Sequence, residues 1–594
     1  MARRAGATGL WIALTVLAVG WPWVANETWT TLAMMASINI LLAQSINILT
    51  GFAGQISLGH AGFFAVGAYT SALLMMELSV PLWLSLPLAV VCAMVVGFLL
   101  AIPAGRVQDF YLAMVTTAFG LVVQVVVKQW DLTGGFQGLS GVPAPVLGTL
   151  KLFGLALNEH RYYYLVVVLV AVASWFQVNL VRSFIGRALV AVETSEVAAA
   201  SLGIAPGLVK RQAYMISAGL AALAGGLYAH MMAFLGYETF SLWQSAFILV
   251  MAVLGGLGTF IGPFLGATVL TVLPHELQIF QRHQLLIYGT LLLVSYLAFP
   301  RGLAGFLRFE TSFLKVRRVA APPAAANQMS RSPARGAGPL LVVEGLTKSF
   351  DGVRALNGVT MQVMRGEIHG LIGPNGSGKT TLVNLVTGVY DIEGGTVTFA
   401  GERLNGFASY LIARRGVVRT FQSPHIFRRL TVRENVMVGA HRQFRAGFWA
   451  AVGNMPRAVQ DEHEMLRRTD AMLAEVCLLD RADVQAIDLP YGMQRMVDLA
   501  RAMMCEPRLI VLDEPAAGLS EVEVAQLGHV LRSLQAAGVT ILLIEHQLDF
   551  LLGLVDRVTV LDYGETIFQG TPGDVRKDAR VIEAYLGAYA DAGT

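Results

Sequence analysis

The chain divides into two stretches of opposite patterning. Up to about residue 300, long apolar runs follow one another near 10–24, 29–50, 52–76, 81–102, 110–130, 162–181, 212–235, 241–273 and 284–300, separated by short polar breaks. Runs of this length with few charges are what a helix needs to cross a bilayer. From about residue 340 the apolar segments shorten, as in Ile368–Ile372, Leu509–Leu512 and Val539–Ile544, each bounded by turn or helix-like sequence, which predicts an α/β domain. Between the two, residues 319–339 are rich in Ala, Pro, Ser, Gly and Arg with no apolar period, the composition of a flexible tether. The expected organisation is a membrane domain over 1–310, a linker over 311–339 and a soluble domain over 340–594.

Charge sharpens that division. Of the 83 charged residues only 20 lie before residue 301, so the first half is membrane-like and the second soluble. The net charge of +3 does not point to nucleic acid, because the Lys and Arg residues of the first half sit mainly at the ends of apolar runs. Cys92, Cys477 and Cys505 are too few and too scattered for a disulfide framework or a zinc site.

The soluble half carries the clearest chemistry. Gly373-Pro374-Asn375-Gly376-Ser377-Gly378-Lys379-Thr380-Thr381 follows the apolar run Ile368–Ile372 and precedes helix-like sequence, the strand, loop and helix context of a P-loop. Its glycines let backbone N–H groups turn in around phosphates, and the helix N-terminus adds partial positive charge. Lys379 is expected to reach the β- and γ-phosphates of ATP, and Thr380 to ligate Mg²⁺.

A domain that uses ATP must lie in the cytoplasm, which constrains the membrane topology. Arg3 and Arg4 ahead of the first apolar run resemble a signal peptide, but further runs follow, so the run reads as a crossing that starts inside. Nine crossings would end outside, whereas Arg301, Arg308, Lys315, Arg317, Arg318 and the ATP site must be inside. The longest run contains Gly255-Gly256-Leu257-Gly258 and Gly262-Pro263, so two short helices with a turn at the glycines restore an even number. The expected count is ten, with eight as the alternative. It leaves residues 182–211, with Arg182, Arg187, Lys210 and Arg211, in the cytoplasm.

Residues 51–69 crowd small residues and a few polar ones into an apolar run. Small residues allow close helix approach, and a glycine-interrupted helix can expose backbone dipoles at membrane depth. Gln55, Ser57 and His60 are the polar candidates for lining a solute path, or else polar groups packed between helices.

This stretch, with Glu196–Gly203, Ile216–Tyr228 and Val253–Pro263, resembles permease subunits of branched-chain amino acid ABC importers over most of residues 30–305. The resemblance implies that about residues 190–208, including Glu196, Ala198, Ala199 and Gly203, form a coupling helix that docks on the ATPase. A compact alanine-rich helix suits a shallow groove.

The second half looks like the ATPase of the same family. The resemblance implies that Phe350 stacks on adenine, that Gln422 in Arg419-Thr-Phe-Gln senses Mg²⁺ and the attacking water, and that Asp513 serves the Mg²⁺ shell. It also assigns Glu514 to orient or deprotonate water, and His546 to contact the γ-phosphate. Arg419–Asn435, Glu514–Leu519 and the charged insertion of about 441–470 are further points of likeness. One departure stands out. The signature loop of such ATPases has serine second and usually glutamine fifth, whereas this chain has Leu489-Pro490-Tyr491-Gly492-Met493-Gln494. Pro490 offers neither a hydroxyl nor a backbone N–H. Loss of that donor should cost about 2–3 kcal/mol at the transition state, or one to two decades in rate.

The expectation is a polytopic α-helical membrane domain fused to an α/β P-loop ABC ATPase in the inner membrane of a bacterium, taking up a small polar solute. Branched-chain amino acids are the family default, with urea or amides as the alternative. A second ATPase subunit, a second permease subunit and an extracytoplasmic solute-binding protein are the implied partners, a homodimer being possible. A fused exporter shares the ATPase motifs, but the short glycine-rich segments count against it.

Overall fold

A computed structural model of the protein describes residues 19–276 apart from 106 and 108, scattered positions between 283 and 293, residues 302–307, and residues 338–591. Residues 10–18 of the expected first crossing, most of 284–300, Arg301, Arg308, Lys315, Arg317, Arg318 and nearly all of the tether lie outside the described residues. What is described forms two compact units. One runs to Arg182 and resumes at Gly207; the other joins Ser183–Pro206 to the C-terminal half.

The first unit is helical. Asn26 caps α1 (Glu27–Ile46) by accepting from the Trp29 amide, and α1 passes into a π-helical turn over Asn47–Phe52. Then come α2 (His60–Met76), α3 (Leu82–Ala104), α4 (Asp109–Gln129) and α5 (Glu159–Arg182). Two helices of the intervening segment, α6 (Phe184–Thr194) and α7 (Glu196–Ser201), belong to the second unit. α8 (Pro206–Met232), α9 (Leu242–Gly255) and α10 (Gly262–Glu276) complete the described helices of the first. Five helical spans here are long and apolar enough to cross a membrane: α1 with its π turn, α3, most of α4, α5 and α8. α3 and α4 expose Val91, Val95, Leu99, Val122, Val125 and neighbouring apolar residues, the surface expected of helices that face lipid tails. α1 and α8 are mostly buried, and a Cβ on Gly225 of α8 would lie 2.1 Å from the Phe64 carbonyl of α2, so that contact requires glycine.

The run 52–76, continuous in hydropathy, is not one helix. Residues 53–59 are irregular, because side chains supply what a helical ladder would: Thr116 Oγ1 accepts from the Leu58 amide at 3.1 Å and Ser57 Oγ from the Gly59 amide at 3.4 Å. The run 241–273 does split at its glycines, into α9 and α10. Asn47 clasps the turn between them, with Nδ2 donating to the Thr259 carbonyl and Oδ1 accepting from the Gly258 amide, both at 2.7 Å.

The second unit contains two sheets. β1 (Pro339–Phe350), β2 (Val353–Met364), β4 (Gly394–Phe399) and β5 (Glu402–Arg403) form an antiparallel sheet in the order β2-β1-β4-β5. The larger sheet has the order β6-β7-β8-β3-β9-β10, from β3 (Ile368–Ile372), β6 (Val417–Arg419), β7 (Leu509–Asp513), β8 (Thr540–Ile544), β9 (Arg557–Asp562) and β10 (Glu565–Gly570). It is parallel except for β9 with β10. β3, β7 and β8 are buried along their whole length, as strands covered on both faces must be. Leu371, Val511, Leu542 and Ile544 share one core with Leu382 and Val383 of α11 (Lys379–Val386). The register sets Asp513 beside Ile544 and Ile544 beside Leu371, so the loops after β7, β8 and β3 emerge at one edge.

The remaining α-helices of five residues or more described in this unit are α12 (Ser409–Arg414), α13 (Val432–Gly439), α14 (Phe448–Val452), α15 (Pro456–Glu475), α16 (Tyr491–Met503), α17 (Glu521–Ala536), α18 (Leu548–Leu554) and α19 (Ala579–Asp591).

Candidate functional site

The loop from Gly373 to Gly378 joins β3 to α11, whose first turn has no side-chain cap. Gly376 and Gly378 adopt φ of 82° and 97°, conformations that L side chains rarely take, and these turn the loop back over the helix N-terminus. Lys379 is buried, and its Nζ donates to the carbonyls of Gly373 at 2.7 Å and Pro374 at 2.8 Å and to Ser377 Oγ at 3.4 Å. Burial pulls its pKa down, while Glu514 and Asp513 push it back up. The cation is therefore held in the hollow of the loop with carboxylates close by. Pro374 is half-buried and Asn375 exposed, while Thr380 is exposed on the first turn of α11 and Thr381 half-buried beside it.

At the same sheet edge Glu514 follows β7 with φ of 48°, its amide donating to the Ile544 carbonyl. Its carboxylate is bracketed, Oε2 accepting from Gln422 Nε2 and Oε1 meeting His546 Nε2, both at 2.7 Å. Gln422 and His546 are exposed, so the cluster opens to solvent. Asp513 is buried and paired at 2.7 Å with Arg419, which also reaches Asn384 of α11. Phe350, at the end of β1, is 38% exposed, meets Tyr390 edge to face at 5.3 Å between ring centroids and has Lys348 Nζ over its ring at 5.3 Å, so at most the opposite face is open to a stacking base.

A triphosphate suits this arrangement: backbone donors at an uncapped helix start, a lysine that donates to two carbonyls and a hydroxyl, and an aromatic ring at the rim. The Thr380 hydroxyl and the Asp513 carboxylate are hard oxygen donors of the few-ligand kind that Mg²⁺ accepts alongside phosphate and water.

Sequence reasoning missed three positioning residues. Arg419, at the end of β6, fixes Asp513 on the neighbouring strand β7. Arg495 of α16 donates to the Phe421 carbonyl at 2.9 Å, to the Gln422 carbonyl, and to the Tyr491 hydroxyl at 3.0 Å, so it ties the signature helix to the Gln422 loop. Glu545, 3% exposed, accepts from the Ala516 amide at 2.6 Å; burial raises its pKa most, with hydrogen bonds opposing. Their signal was a charge at the end of a fully apolar strand or on the apolar face of a helix.

Pro490 is the N-cap of α16, exposed beside exposed Tyr491, with Leu489 buried beneath. Gly492 and Met493 are half-buried, and a Cβ on Gly492 would meet Glu523 Oε1 at 2.1 Å. Gln494 Nε2 donates to the Leu489 carbonyl at 2.8 Å and closes the loop.

The alanine-rich segment is α7, capped by Ser195, whose Oγ accepts from the Ala198 amide at 3.2 Å. Ala198 and Ala199 are buried in this unit and Glu196 lies in the first turn. Gly203, at φ 85°, ends the turn, and its carbonyl accepts from Arg414 Nε of α12 at 3.1 Å.

In the helical unit, Gln55, Ser57 and His60 are all buried. Ser217 Oγ donates to the Ser45 carbonyl at 2.8 Å, so toward His60 Nε2, also at 2.8 Å, it accepts. That fixes a proton on Nε2 and leaves Nδ1 to accept from Ser57 Oγ at 3.0 Å. Gln55 differs: its Nε2 donates to the Ala53 carbonyl at 3.3 Å, while its Oε1 is buried without a hydrogen-bond partner among the described residues.

Comparison with known proteins places these features. A model of the permease component of branched-chain amino acid transport systems matches residues 29–295, an ABC transporter model 356–517, and a branched-chain amino acid ATP-binding cassette transporter model 565–591. The high-affinity branched-chain amino acid transport ATP-binding protein LivG of Escherichia coli K12 is 42% identical over 250 residues, which is 42% of this chain and 98% of that protein. The permease protein LivM of the same organism is 35% identical over 330 residues, 52% of this chain and 77% of that one. A crystal structure of a nucleotide-free ATP-binding cassette from an ABC transporter is 31% identical, covering 42% of this chain and 99% of its own, with a TM-score of 0.37.

Proposed function

The chain belongs to the branched-chain amino acid ABC transporter family and unites its permease and ATP-binding components in one polypeptide, and from that premise we propose that it drives uptake of branched-chain amino acids across the inner membrane of a bacterium. The chain is a transport-coupled ATPase. The observation that carries the reading is the bracketing of Glu514 by Gln422 and His546 at 2.7 Å each, at the sheet edge shared with the P-loop.

In this reading Gly373–Thr381 hold the phosphates and Phe350 stacks on the adenine. Lys379 leaves its loop carbonyls for the γ-phosphate. Thr380, Asp513 and Gln422 would hold Mg²⁺, which would supply positive charge against the developing charge on the phosphate oxygens. Glu514 takes the proton of the attacking water, and His546 and Gln422 keep that carboxylate in place. Asp513 keeps its direction because Arg419 holds one oxygen. α7 carries the resulting motion to the permease domain, whose ten crossings, or eight, alternate access for the solute. Gln55, Ser57 and His60 contribute to the path; among them Gln55 has a free acceptor to offer an ammonium group.

A second permease, a second ATPase and an extracytoplasmic binding protein complete the assembly. Because Pro490 and Met493 weaken what this chain offers its partner's site, the companion carries the intact signature and the P-loop of this chain is the active one. In a homodimer both sites would meet the altered loop, which disfavours that assembly. Phosphate release by the purified complex tests the reading. It should rise several-fold with leucine-loaded binding protein and fall far more with Lys379→Ala than with the same change in the companion. A rate indifferent to loaded binding protein, or equal losses from the two lysine changes, would contradict it.

A further inference from the structure

α7 buries alanines in its groove, and small apolar contacts of that kind discriminate poorly between one ATPase and another. The preceding helix is different. At its start Phe184 stacks on Phe444 with ring centroids 4.8 Å apart and planes 16° apart, and meets His441 at 5.4 Å. Arg187, 4% exposed, lies over the same Phe444 ring at 5.4 Å, and one of its Nη atoms donates to both carboxylate oxygens of Glu462, at 2.9 and 3.0 Å. Glu462 belongs to α15, and Phe444 lies just after the 3₁₀ turn His441–Gln443, so these two partners come from the charged insertion of the ATPase, while α6 also packs against α13 just before it. Burial pulls the His441 imidazole down to about 4, so at neutral pH it adds no second cation beside Arg187.

We propose that the insertion of about 441–470 is a receptor for α6 of its own chain, and that the Arg187–Glu462 pair with the Phe184–Phe444 stack decides which ATPase serves this permease. The inference rests on the importer reading for its functional consequence. An ATPase without an acid at position 462 would take from this buried guanidinium both hydrogen bonds it makes to Glu462, a cost that works against docking of the wrong subunit. The 30 residues between Leu307 and Gly338 could span up to about 100 Å at full extension. Length alone therefore permits docking on a neighbouring chain, and the contact itself must select the cis arrangement.

Two readouts on the full assembled complex test this. In chains freed of native cysteines, Phe184→Cys and Phe444→Cys together should be joined within one chain by a short bis-maleimide, and absence of that link would overturn the proposal. After cleavage at a protease site engineered into the 308–337 stretch, that link keeps the halves joined on a denaturing gel. Chains carrying one cysteine each should give no cross-linked dimer. Dimeric adducts, or linkage of Phe184→Cys to the companion ATPase, would overturn the proposal. In the second readout, Arg187→Glu or Glu462→Arg alone should cut solute-stimulated ATP turnover at least tenfold and leave basal turnover unchanged, while the double exchange restores stimulation to within about threefold. Single changes without effect, or a double exchange as impaired as either single one, would also overturn it. If the unaltered complex shows no solute stimulation, the importer reading fails and the cross-link still decides the docking.

Discussion

Replacing Glu514 by Gln removes one charge and keeps the shape of the side chain. The carboxylate is 16% exposed and held on both sides, so Glu514→Gln keeps one carbonyl oxygen for the Gln422 amide and loses the acceptor facing His546. That loss is about one charge-assisted hydrogen bond, about 1.5–3 kcal/mol, too little to unfold a domain of this size. The loss in chemistry is larger. A positioned general base contributes about 10²–10⁴ in rate, or about 2.7–5.4 kcal/mol of barrier. Steady-state phosphate release by the purified complex should therefore fall by two to four decades, while nucleotide affinity, set by the P-loop and Phe350, changes by less than about threefold. Turnover within fivefold of the unaltered complex, with nucleotide still bound, would refute the assignment of Glu514 as the base.

Arg419→Met leaves Asp513 as a buried carboxylate without its counter-ion, and breaking such a pair from one side costs about 3–5 kcal/mol. Thermal unfolding of the ATPase unit within the complex should drop by about 10 °C, and a drop under about 2 °C would argue against a structural pair. Asn47→Leu strips partners from the Gly258 amide and the Thr259 carbonyl at about 1–3 kcal/mol each, so the detergent-solubilised protein should lose thermal stability measured by fluorescent size exclusion; an unchanged profile would contradict the clasp. Burial pushes the Cys505 thiol up to about 12 whereas Cys477 is exposed, so maleimide at neutral pH should label Cys477 in the native complex and reach Cys505 only after denaturation. Equal labelling rates would exclude the buried position.

What the sequence announced were the features written in consecutive residues. The P-loop carries its own local context, Asp513, Glu514 and His546 were picked out by the resemblance to ABC ATPases, and sheet register gathers them. What stayed hidden depends on partners far along the chain: Arg419 finds Asp513 94 positions away, and Arg495 finds the Gln422 loop 73 away. The irregular stretch before His60 was legible only as a glycine-interrupted run. Hydropathy is continuous through it, while the hydrogen bonds that replace the helix come from Thr116 and Ser57. Similarly the run of alanines marked α7, but Phe184 and Arg187 gave no sign that α6 has a receptor of its own.

The measurement that bears most directly on the account is radiolabelled leucine accumulation in proteoliposomes containing the complex, with nucleotide on the ATPase side and binding protein on the other. Accumulation above equilibrium that requires ATP and disappears with Glu514→Gln is the result expected. Leucine that enters at the same rate without ATP, or accumulates undiminished in the Glu514→Gln complex, would contradict it.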